Sequence, residues 1–379
     1  MSKILFVMKY PLEEAYSVKG KFDGQMKAAR SLGYDVYYIA YDHKATYLIH
    51  GEEKTCIKKI AFGKSRHYAH TKAFFDLYDS VTCILRDEQF DIAYIRHAPL
   101  SFKGVGMCRK LQKIGCKVVV EISTYPQGRE KQPTLPRKLY ALFSGLCWRS
   151  ASRSVSLFTL IGEYASSYNG VPALNISNGI DADAVELRKP CFDDDKVHLL
   201  AVASMSSWHA YDRIIRSIAA LNNADRDRVV LDMVGNEGDG SLDRWKQLTS
   251  ELSLEKQVVF HGKRTGMELN PFYDKADIGI CSLGMYRIGF ESGSILKLRE
   301  YTARGLPFVY AANDPALPTE QSFCLHVSND DKPINMKQIM EFAMELRKKH
   351  DMPRIMHEYA QKFMSWEGQL KQVFDRVND

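Results

Sequence analysis

The chain has 379 residues, of which 45% are hydrophobic and 26% charged, a composition typical of a soluble globular protein long enough for two domains. No apolar run approaches the roughly 20 residues that a membrane span needs. The first residues contain too short an apolar stretch for a secretory leader, so we expect none. The eight cysteines include no Cys-x-x-Cys pair. We therefore expect the reduced thiols of a cytoplasmic protein and neither zinc ligands nor disulfides.

The net charge of +6 is unevenly distributed along the chain. Residues 1–175 contain 26 basic and 15 acidic residues, a net charge of +11, whereas the remainder contains 26 basic and 31 acidic residues, a net charge of −5. This asymmetry predicts that the first half meets something anionic. A charge that only keeps the protein soluble is the alternative, and it stays open.

The first elements predict a βαβ unit. The continuous apolar run from Lys3 to Met8 is typical of a strand buried on both faces. We expect a loop that ends at 20–24, then a helix over 24–33 and a second strand over 35–41. Gly20 in that loop would let the backbone come close to a ligand, because the loop follows the carboxyl end of a strand. The unit lacks Gly-x-Gly-x-x-Gly, so a dinucleotide-binding dehydrogenase is poorly supported.

Two further strands are predicted over 90–99 and 116–126, and both end in polar side chains. His97 follows the first of these strands, and Glu121, Ser123 and Tyr125 lie at the end of the second. The carboxyl ends of parallel strands are where open α/β sheets bind ligands. His97 is therefore a candidate reacting group, and the alternative is a strand-end histidine bonded to a loop carbonyl.

A helix is predicted from Leu135 to Arg153. Apolar residues recur with helical spacing at Leu139, Leu142, Phe143, Leu146 and Cys147. Four basic residues flank this stripe: Arg137, Lys138, Arg149 and Arg153. We favour a core-facing helix with solvated basic residues, and a helix that lies on an anionic membrane is the alternative.

The second half begins a new series of alternating strands and helices, which predicts a second parallel sheet. Strands are expected over 197–205, 229–234, 257–261 and 276–283. The segment 290–310, FESGSILKLREYTARGLPFVY, then reads as a loop, a helix from Ile295 to Arg304 and a strand. Ser294 is the expected N-cap, and Gly305 ends the helix.

The N-terminus of this helix is a candidate anion site. A Gly/Ser loop leads into it, its N–H groups point outward, and the macrodipole is positive there. Lys297 adds a full charge in the first turn, and Glu300 lies one turn further on. An ordinary solvated connection is equally compatible with this segment read alone.

The stretch from Glu291 to Glu300 resembles the carboxylate-pair segment of GT-B glycosyltransferases and is closest to glycosyltransferase family 4. In that family one Glu contacts the donor sugar, a second holds the ribose hydroxyls, and backbone N–H groups between them hold the diphosphate. The family has seven residues between the two Glu, whereas this chain has eight, with Ser292 at the strict first position.

The resemblance extends over nearly the whole chain. YIRH and EISTYP resemble segments of the cell-surface polysaccharide members, residues 175–185 resemble the interdomain linker, and KFMSWEGQLKQVF resembles the closing helix. It implies an α/β protein of the GT-B fold, with two Rossmann-like parallel-sheet domains that face a cleft. The expected domains are 1–176 on the acceptor side and 177–360 on the nucleotide-sugar side, with a C-terminal helix over 361–379 that returns to the first domain.

The resemblance also implies a set of site residues. The residues expected to take part in catalysis are Glu291, His97 and Glu121. The residues expected to bind the donor are Gly20, His209, His261, Gly262, Lys263, Arg264, Ser294, Ile295, Leu296, Lys297 and Glu300. The family's His after the second acceptor-side strand is replaced by Ile122 and Ser123, and its Arg and Lys after the first donor-side strand are replaced by Ser204 and His209.

The function implied is transfer of a sugar from a nucleotide-sugar donor to a glycan or a lipid-diphosphate-linked acceptor in polysaccharide biosynthesis. Such an enzyme retains the anomeric configuration and needs no metal or other cofactor. We expect a cytoplasmic protein, peripheral on the inner face of the plasma membrane if the acceptor is lipid-linked, with no nucleic-acid partner. A GT-B sugar-nucleotide epimerase and a non-catalytic sugar-nucleotide-binding protein are the alternatives.

Overall fold

The computed structural model describes residues 1–12, 18–59, 77–127, 135–318 and 320–379, and of Pro136 and Arg137 only the backbone. The chain divides into two compact units. The first unit comprises residues 1–179 and 366–379, and the second comprises residues 180–365. Of the helices described, none is both long enough and apolar enough to cross a membrane.

The first unit is built on a nine-stranded sheet in the order β4-β3-β2-β1-β5-β6-β7-β9-β8. Its strands are β1 (Lys3–Pro11), β2 (Asp35–Tyr41), β3 (Ala45–His50), β4 (Glu53–Lys59), β5 (Ile92–Arg96), β6 (Lys117–Tyr125), β7 (Leu157–Gly162), β8 (Ser167–Tyr168) and β9 (Val171–Asn175). The central strands run parallel, while β3, β4 and β8 are antiparallel additions at the two edges. The sequence predicted β1, β2, β5 and β6 of the parallel part, but β9 and the antiparallel strands at the two edges were missed.

The helices of the first unit cover this sheet. They are α1 (Lys19–Ser31), α2 (described over 77–84), α3 (Phe102–Lys113), α4 (Leu135–Ala151) and α12 (Trp366–Asn378). The C-terminal α12 buries Leu370 and Phe374 in the same core cluster as Phe22 and Met26 of α1. The last residues of the chain therefore belong to the core that the first residues begin.

The second unit has a six-stranded, wholly parallel sheet in the order β12-β11-β10-β13-β14-β15. Its strands are β10 (Val197–Met205), β11 (Val229–Glu237), β12 (Val258–Gly262), β13 (Ile278–Ile280), β14 (Phe308–Tyr310) and β15 (Cys324–His326). Its helices are α5 (Tyr211–Ala219), α6 (Asn223–Arg226), α7 (Ser241–Glu251), α8 (Asn270–Lys275), α9 (Leu296–Arg304), α10 (Met336–Leu346) and α11 (Met352–Phe363). The carboxyl ends of the central strands β10, β13 and β14 lie side by side.

Two predicted helix starts are wrong. Helix α1 begins at Lys19, so Gly20 lies in its first turn and the loop expected over 20–24 does not exist. Burial of Lys21, Phe22 and Gln25 against the unit outweighs the low helix propensity of the two glycines. Helix α9 begins at Leu296 with Ile295 as its N-cap, and the expected cap at Ser294 is replaced by a carboxylate from elsewhere in the chain.

Helix α4 buries a different face from the one predicted. Cys147 is buried and Phe143 partly buried, as a core-facing helix requires, but Leu139, Leu142 and Leu146 are exposed. The residues turned inward are instead Ser144, Cys147, Trp148 and Ala151. The favoured interpretation of the apolar stripe as core is therefore wrong for its three leucines.

A buried ion pair joins α9 to the loop after β14. The side chains of Arg299 and Asp314 are both 0% exposed. Arg299 Nη2 donates to Asp314 Oδ1 at 2.6 Å, and Nη1 donates to Oδ2. The same carboxylate accepts the N–H groups of Ile295 at 3.1 Å and Ala316 at 3.0 Å. One carboxylate thus caps α9, holds the following loop and neutralises the buried guanidinium.

We expect Asp314→Leu to lower the free energy of unfolding by roughly 3–5 kcal/mol, because it leaves the Arg299 charge buried without a counter-charge. The double variant Arg299→Met/Asp314→Leu should recover most of that loss, since apolar replacement of a whole buried pair is often neutral. Urea denaturation followed by circular dichroism measures both values. A double variant as unstable as the single one would mean that the backbone contacts of Asp314, and not the charge, carry the effect.

Candidate functional site

The loop before α9 is held at a defined place beside the end of β14. Glu291 O accepts the Asn313 N–H at 3.0 Å, and the Gly293 N–H donates to Asn313 O at 2.9 Å. The carboxylate of Glu291 is exposed. The predicted Glu therefore sits on a backbone segment that is pinned on both sides, with its side chain free to meet a ligand.

Lys297 is brought into a cluster with two residues of the β10–α5 connection. Its Nζ donates to the hydroxyl of Tyr211, the first residue of α5. The ring of His209 stacks on the ring of Tyr211, with the ring centroids 5.4 Å apart and the planes inclined by 11°. Burial lowers the pKa of Lys297 to about 8. The structure thus joins the predicted Lys297 and His209 through Tyr211, which the sequence analysis did not single out.

His209 is neutral, and both of its ring nitrogens are engaged. Nε2 lies 3.1 Å from Ser204 O, which can only accept, so Nε2 carries the proton. Nδ1 then accepts from the Ser282 hydroxyl at 2.8 Å. Burial, and next the charge of Lys297, hold the pKa of His209 well below its ordinary value. His209 therefore orients Tyr211 and has no ring nitrogen left for a ligand unless a partner is displaced.

Glu300 is oriented by its neighbours but remains accessible, with 38% of its side chain exposed. Its Oε1 accepts from the Tyr273 hydroxyl at 3.1 Å and from Arg304 Nε at 3.2 Å. These contacts fix one oxygen and leave Oε2 to accept from a ligand. Such a geometry suits recognition of hydroxyl groups.

The residues predicted after β12 lie at the edge of the sheet. His261 Nε2 is 2.6 Å from Asp232 Oδ1, so its side chain is used within the unit. Gly262, Lys263 and Arg264 are exposed, and Arg264 Nη1 donates to Lys263 O at 3.0 Å. Because β11 separates β12 from β10, this loop lies about 10 Å across the sheet from the strand that leads to His209. Arg264 is not part of the Lys297 cluster and could reach a ligand only through its long side chain.

In the first unit, Glu121 is the centre of a buried network. It is 1% exposed, and its Oε1 lies 2.7 Å from Lys21 Nζ. Ser123 Oγ donates to Oε1 at 2.7 Å, while Gln25 Nε2 and the Tyr94 hydroxyl donate to Oε2 at 2.6 and 2.8 Å. Although burial opposes ionisation, the Lys21 and Arg96 charges lower the pKa of Glu121 to about 2. Its catalytic role stays a prediction, and four donors leave it poorly placed to exchange a proton.

His97 lies beside a cavity of about 380 Å³ in the first unit. Its ring stacks on Trp148, with centroids 4.4 Å apart, and its Nδ1 is 2.9 Å from Gln127 Nε2. Among the described residues Nε2 has no hydrogen-bond partner. Burial lowers the pKa of His97 to about 4, so the ring is neutral. The alternative, a bond from His97 to a loop carbonyl, is not formed within the described part of the chain.

The residues that sequence reasoning missed share one property: they lie far along the chain from the groups they hold. Asp314 caps α9, Ser282 fixes the tautomer of His209, and Lys21 neutralises Glu121. Only Tyr211 carried a local signal, as an aromatic residue two positions after His209 at a helix start. No group of three His, Cys, Asp or Glu side chains suited to a metal ion occurs in the part of the chain that the structure describes.

Comparison with known proteins identifies the second unit most clearly. Residues 185–362 match the family described as Glycosyl transferases group 1. No curated protein sequence matches the chain. The sequence similarity to a known family therefore lies in the second unit, which contains the Lys297 cluster.

Several solved structures share the fold of the whole chain. The HepE protein of Anabaena, solved in complex with UDP, aligns over 100% of both chains with a TM-score of 0.63 and 12% identity. Sucrose-phosphate synthase of Thermosynechococcus elongatus aligns over 100% of this chain and 99% of its own, with a TM-score of 0.67 and 11% identity. WaaG, a glycosyltransferase involved in lipopolysaccharide biosynthesis, covers 99% of both chains with a TM-score of 0.60 and 13% identity. The fold is that of the GT-B glycosyltransferases.

The pKa of Lys297 predicts how anion binding depends on pH. A lysine with a pKa of about 8 is charged below that pH and loses its charge above it. We therefore expect the affinity for a nucleoside diphosphate to fall about tenfold between pH 7 and pH 9, if only the charged form binds. Calorimetric titrations at several pH values measure this. Lys297→Met should bind more weakly and lack the pH dependence, whereas an unchanged slope in this variant would assign the titration to another group.

Proposed function

We propose that this glycosyltransferase of the GT-B fold moves a sugar from a nucleotide-sugar donor to a lipid-diphosphate-linked or glycan acceptor, with retention of anomeric configuration and without a metal ion. The observation that carries the proposal is the Lys297 cluster at the N-terminus of α9. There a partly buried lysine, a helix N-terminus and an accessible carboxylate meet on one short segment, next to an exposed Glu291. The match of residues 185–362 supports the same assignment.

The donor diphosphate fits the start of α9. Because Asp314 accepts the Ile295 N–H, the next free first-turn donors are the N–H groups of Leu296 and Lys297. The macrodipole and the Lys297 ammonium add positive charge at the same point. The charge of Asp314 is cancelled by Arg299, so it does not repel the phosphates. Oε2 of Glu300 would accept from the ribose hydroxyls.

The chemistry of the step explains why these groups are needed. The bond between the sugar C1 and the diphosphate oxygen breaks, and negative charge develops on the leaving oxygen. Donors fixed in a partly dry site stabilise that charge more strongly than water does. Lys297 and the α9 N–H groups supply this stabilisation without metal. Glu291 would contact the donor sugar, and His97 of the first unit would contact the acceptor.

The proposed acceptor places the enzyme at a membrane surface. The net charge of +11 on residues 1–175 suits an anionic lipid surface and a lipid diphosphate. WaaG, with which this chain shares its fold, acts in lipopolysaccharide biosynthesis. We therefore assign the protein to surface-polysaccharide synthesis at the inner face of the plasma membrane.

A thermal-shift screen against nucleotide sugars tests the donor site, because a ligand that binds only the folded protein raises its melting temperature. With the donor identified, Lys297→Met and Arg264→Met should each weaken nucleoside diphosphate binding by roughly 1.5–3 kcal/mol, the range for a hydrogen bond to a charged group. Affinity for the nucleoside should hardly change. Lys348→Met, a change of an exposed lysine in the same unit, is the control. Wild-type diphosphate affinity in Lys297→Met would place the phosphate site elsewhere.

The two carboxylates should separate binding from turnover. Glu300→Gln should raise the Kd for the nucleotide, because the ribose contact weakens. Glu291→Gln should lower kcat with little change in nucleotide Kd, because its contact is with the sugar alone. Proton NMR of the product gives its anomeric configuration, and activity should survive a chelator. Turnover of the donor to an isomer without acceptor would indicate an epimerase, and donor binding without hydrolysis or transfer would indicate a binding protein.

A further inference from the structure

Helix α4 presents an unusual outer face. Leu135, Leu139, Leu142 and Leu146 are each 60 to 71% exposed. Their spacing of four, three and four residues places them on one side of the helix. We call these four residues the leucine face. A row of large apolar side chains turned to solvent is rare on a soluble protein and marks a contact surface.

A second helix widens this apolar surface. Phe102, at the start of α3, is 75% exposed. Its ring packs edge-on against Phe143 of α4, with centroids 5.1 Å apart. At 100° per residue, Phe143 lies on α4 next to the leucine face. The apolar surface is therefore shared by two helices of the first unit and is not a single stray side chain.

The charges around the leucine face have one sign. The sequence of α4 contains no Asp or Glu. The exposed Lys138 and Arg149 both lie on one flank of the leucine face by helical angle. Over residues 92–162 the chain has 12 Lys and Arg but only two Asp and Glu. One of those two, Glu121, is buried in its ion pair with Lys21. The sequence on both sides of α4 is therefore predominantly basic.

We propose that the leucine face docks on an anionic lipid bilayer, with the leucines at the level of the acyl chains and Lys138 and Arg149 at the headgroups. Apolar side chains on one face with basic residues beside them are what a helix needs to lie in a bilayer interface. The opposite side of α4 is occupied by Ser144, Cys147, Trp148 and Ala151, which are buried in the unit. The helix can therefore lie on the surface but cannot turn to span it.

A second copy of this chain is the competing occupant. Pairing of two identical leucine faces would concentrate the basic residues of both copies around one contact, where no acidic residue of α4 offsets them. Like charges held together oppose such an association. An anionic bilayer offers the complementary charge, which is why the structure favours lipid.

The docked helix would also place the cavity beside His97 near the membrane. Tyr140, Ser144 and Trp148 of α4 line that cavity. By helical angle they lie on the side away from the leucine face. The cavity and the bilayer would then be separated by about one helix diameter, roughly 10–12 Å. This deepens the proposed function, since a lipid-linked acceptor could reach His97 from the surface, but the docking itself rests on α4 alone.

Co-sedimentation of the full chain with lipid vesicles tests the proposal. Wild type should bind vesicles of 30% phosphatidylglycerol in phosphatidylcholine, bind pure phosphatidylcholine vesicles much less, and lose affinity at high salt. Leu139→Gln/Leu142→Gln/Leu146→Gln should reduce binding at least about tenfold at every salt concentration. Lys138→Gln/Arg149→Gln should reduce it about 25-fold at low salt, roughly fivefold per charge, and abolish the salt dependence that these two charges provide.

The matched control is Met267→Gln/Phe363→Gln, which removes two exposed apolar side chains of the second unit and should leave vesicle binding unchanged. Equal binding of wild type to both vesicles, or full binding by the triple leucine variant, would overturn the proposal. The proposal would also be overturned if sedimentation equilibrium showed wild type to be a dimer and the triple leucine variant to be a monomer. The leucine face would then join two copies of the chain. Nucleoside diphosphate affinity, measured on each variant, should equal that of wild type. A loss of nucleoside diphosphate affinity without a change in vesicle binding would count against the proposed donor site and not against docking.

Discussion

The buried pair of Arg299 and Asp314 is the interaction on which the start of α9 depends. Two side chains with no exposure cannot keep their charges unless they neutralise each other. Once paired, Asp314 has acceptor capacity left for the Ile295 N–H, so it sets where α9 begins. That start determines which N–H groups face outward and where Lys297 lies. The pair therefore shapes the segment that we propose as an anion site.

Lys21 of the first unit and Lys297 of the second unit differ in their side-chain partners. Lys21 is closed off by Glu121 at 2.7 Å and by Asn178 Oδ1 at 2.9 Å, so its charge is consumed within the fold. The side-chain hydrogen bond of Lys297 goes to a neutral hydroxyl. Burial lowers the pKa of Lys297 to about 8, and an arriving diphosphate would supply a counter-charge. Lys21 therefore acts within the fold, whereas Lys297 remains the residue that we propose to meet a ligand.

Helix α4 combines two surfaces that the other described helices of the first unit do not combine. Its inner side carries Trp148, whose Nε1 donates to Ala98 O at 2.9 Å and whose ring supports His97. Its outer side carries the leucine face. A single rigid helix thus connects the surface proposed to meet lipid with the residue proposed to meet the acceptor. The distance between these two surfaces is set by helix geometry and does not depend on a loop.

The amino-acid sequence by itself determined the central strands of both sheets and the end of α9. Continuous apolar runs such as Val197–Met205 give a buried strand wherever they are placed. Gly305, at φ +74°, ends the helix for a local reason, because glycine adopts this left-handed conformation without steric cost. The sequence also supplied Glu291, Lys297 and Glu300 as one motif, because their spacing along a loop and a helix is itself local.

Only the tertiary structure decided what those residues touch. Four features depend on partners that are distant along the chain. They are the start of α1 at Lys19, the cap of α9 by Asp314, the hydrogen bonds of both His209 nitrogens and the four donors around Glu121. Helical periodicity located an apolar stripe on α4 but not its direction, since Leu139, Leu142 and Leu146 satisfy the same spacing whether they face a core or a membrane. Local periodicity determines where helices and strands form. The contacts and charges of the site residues depend on how strand ends and helix faces meet in the folded chain.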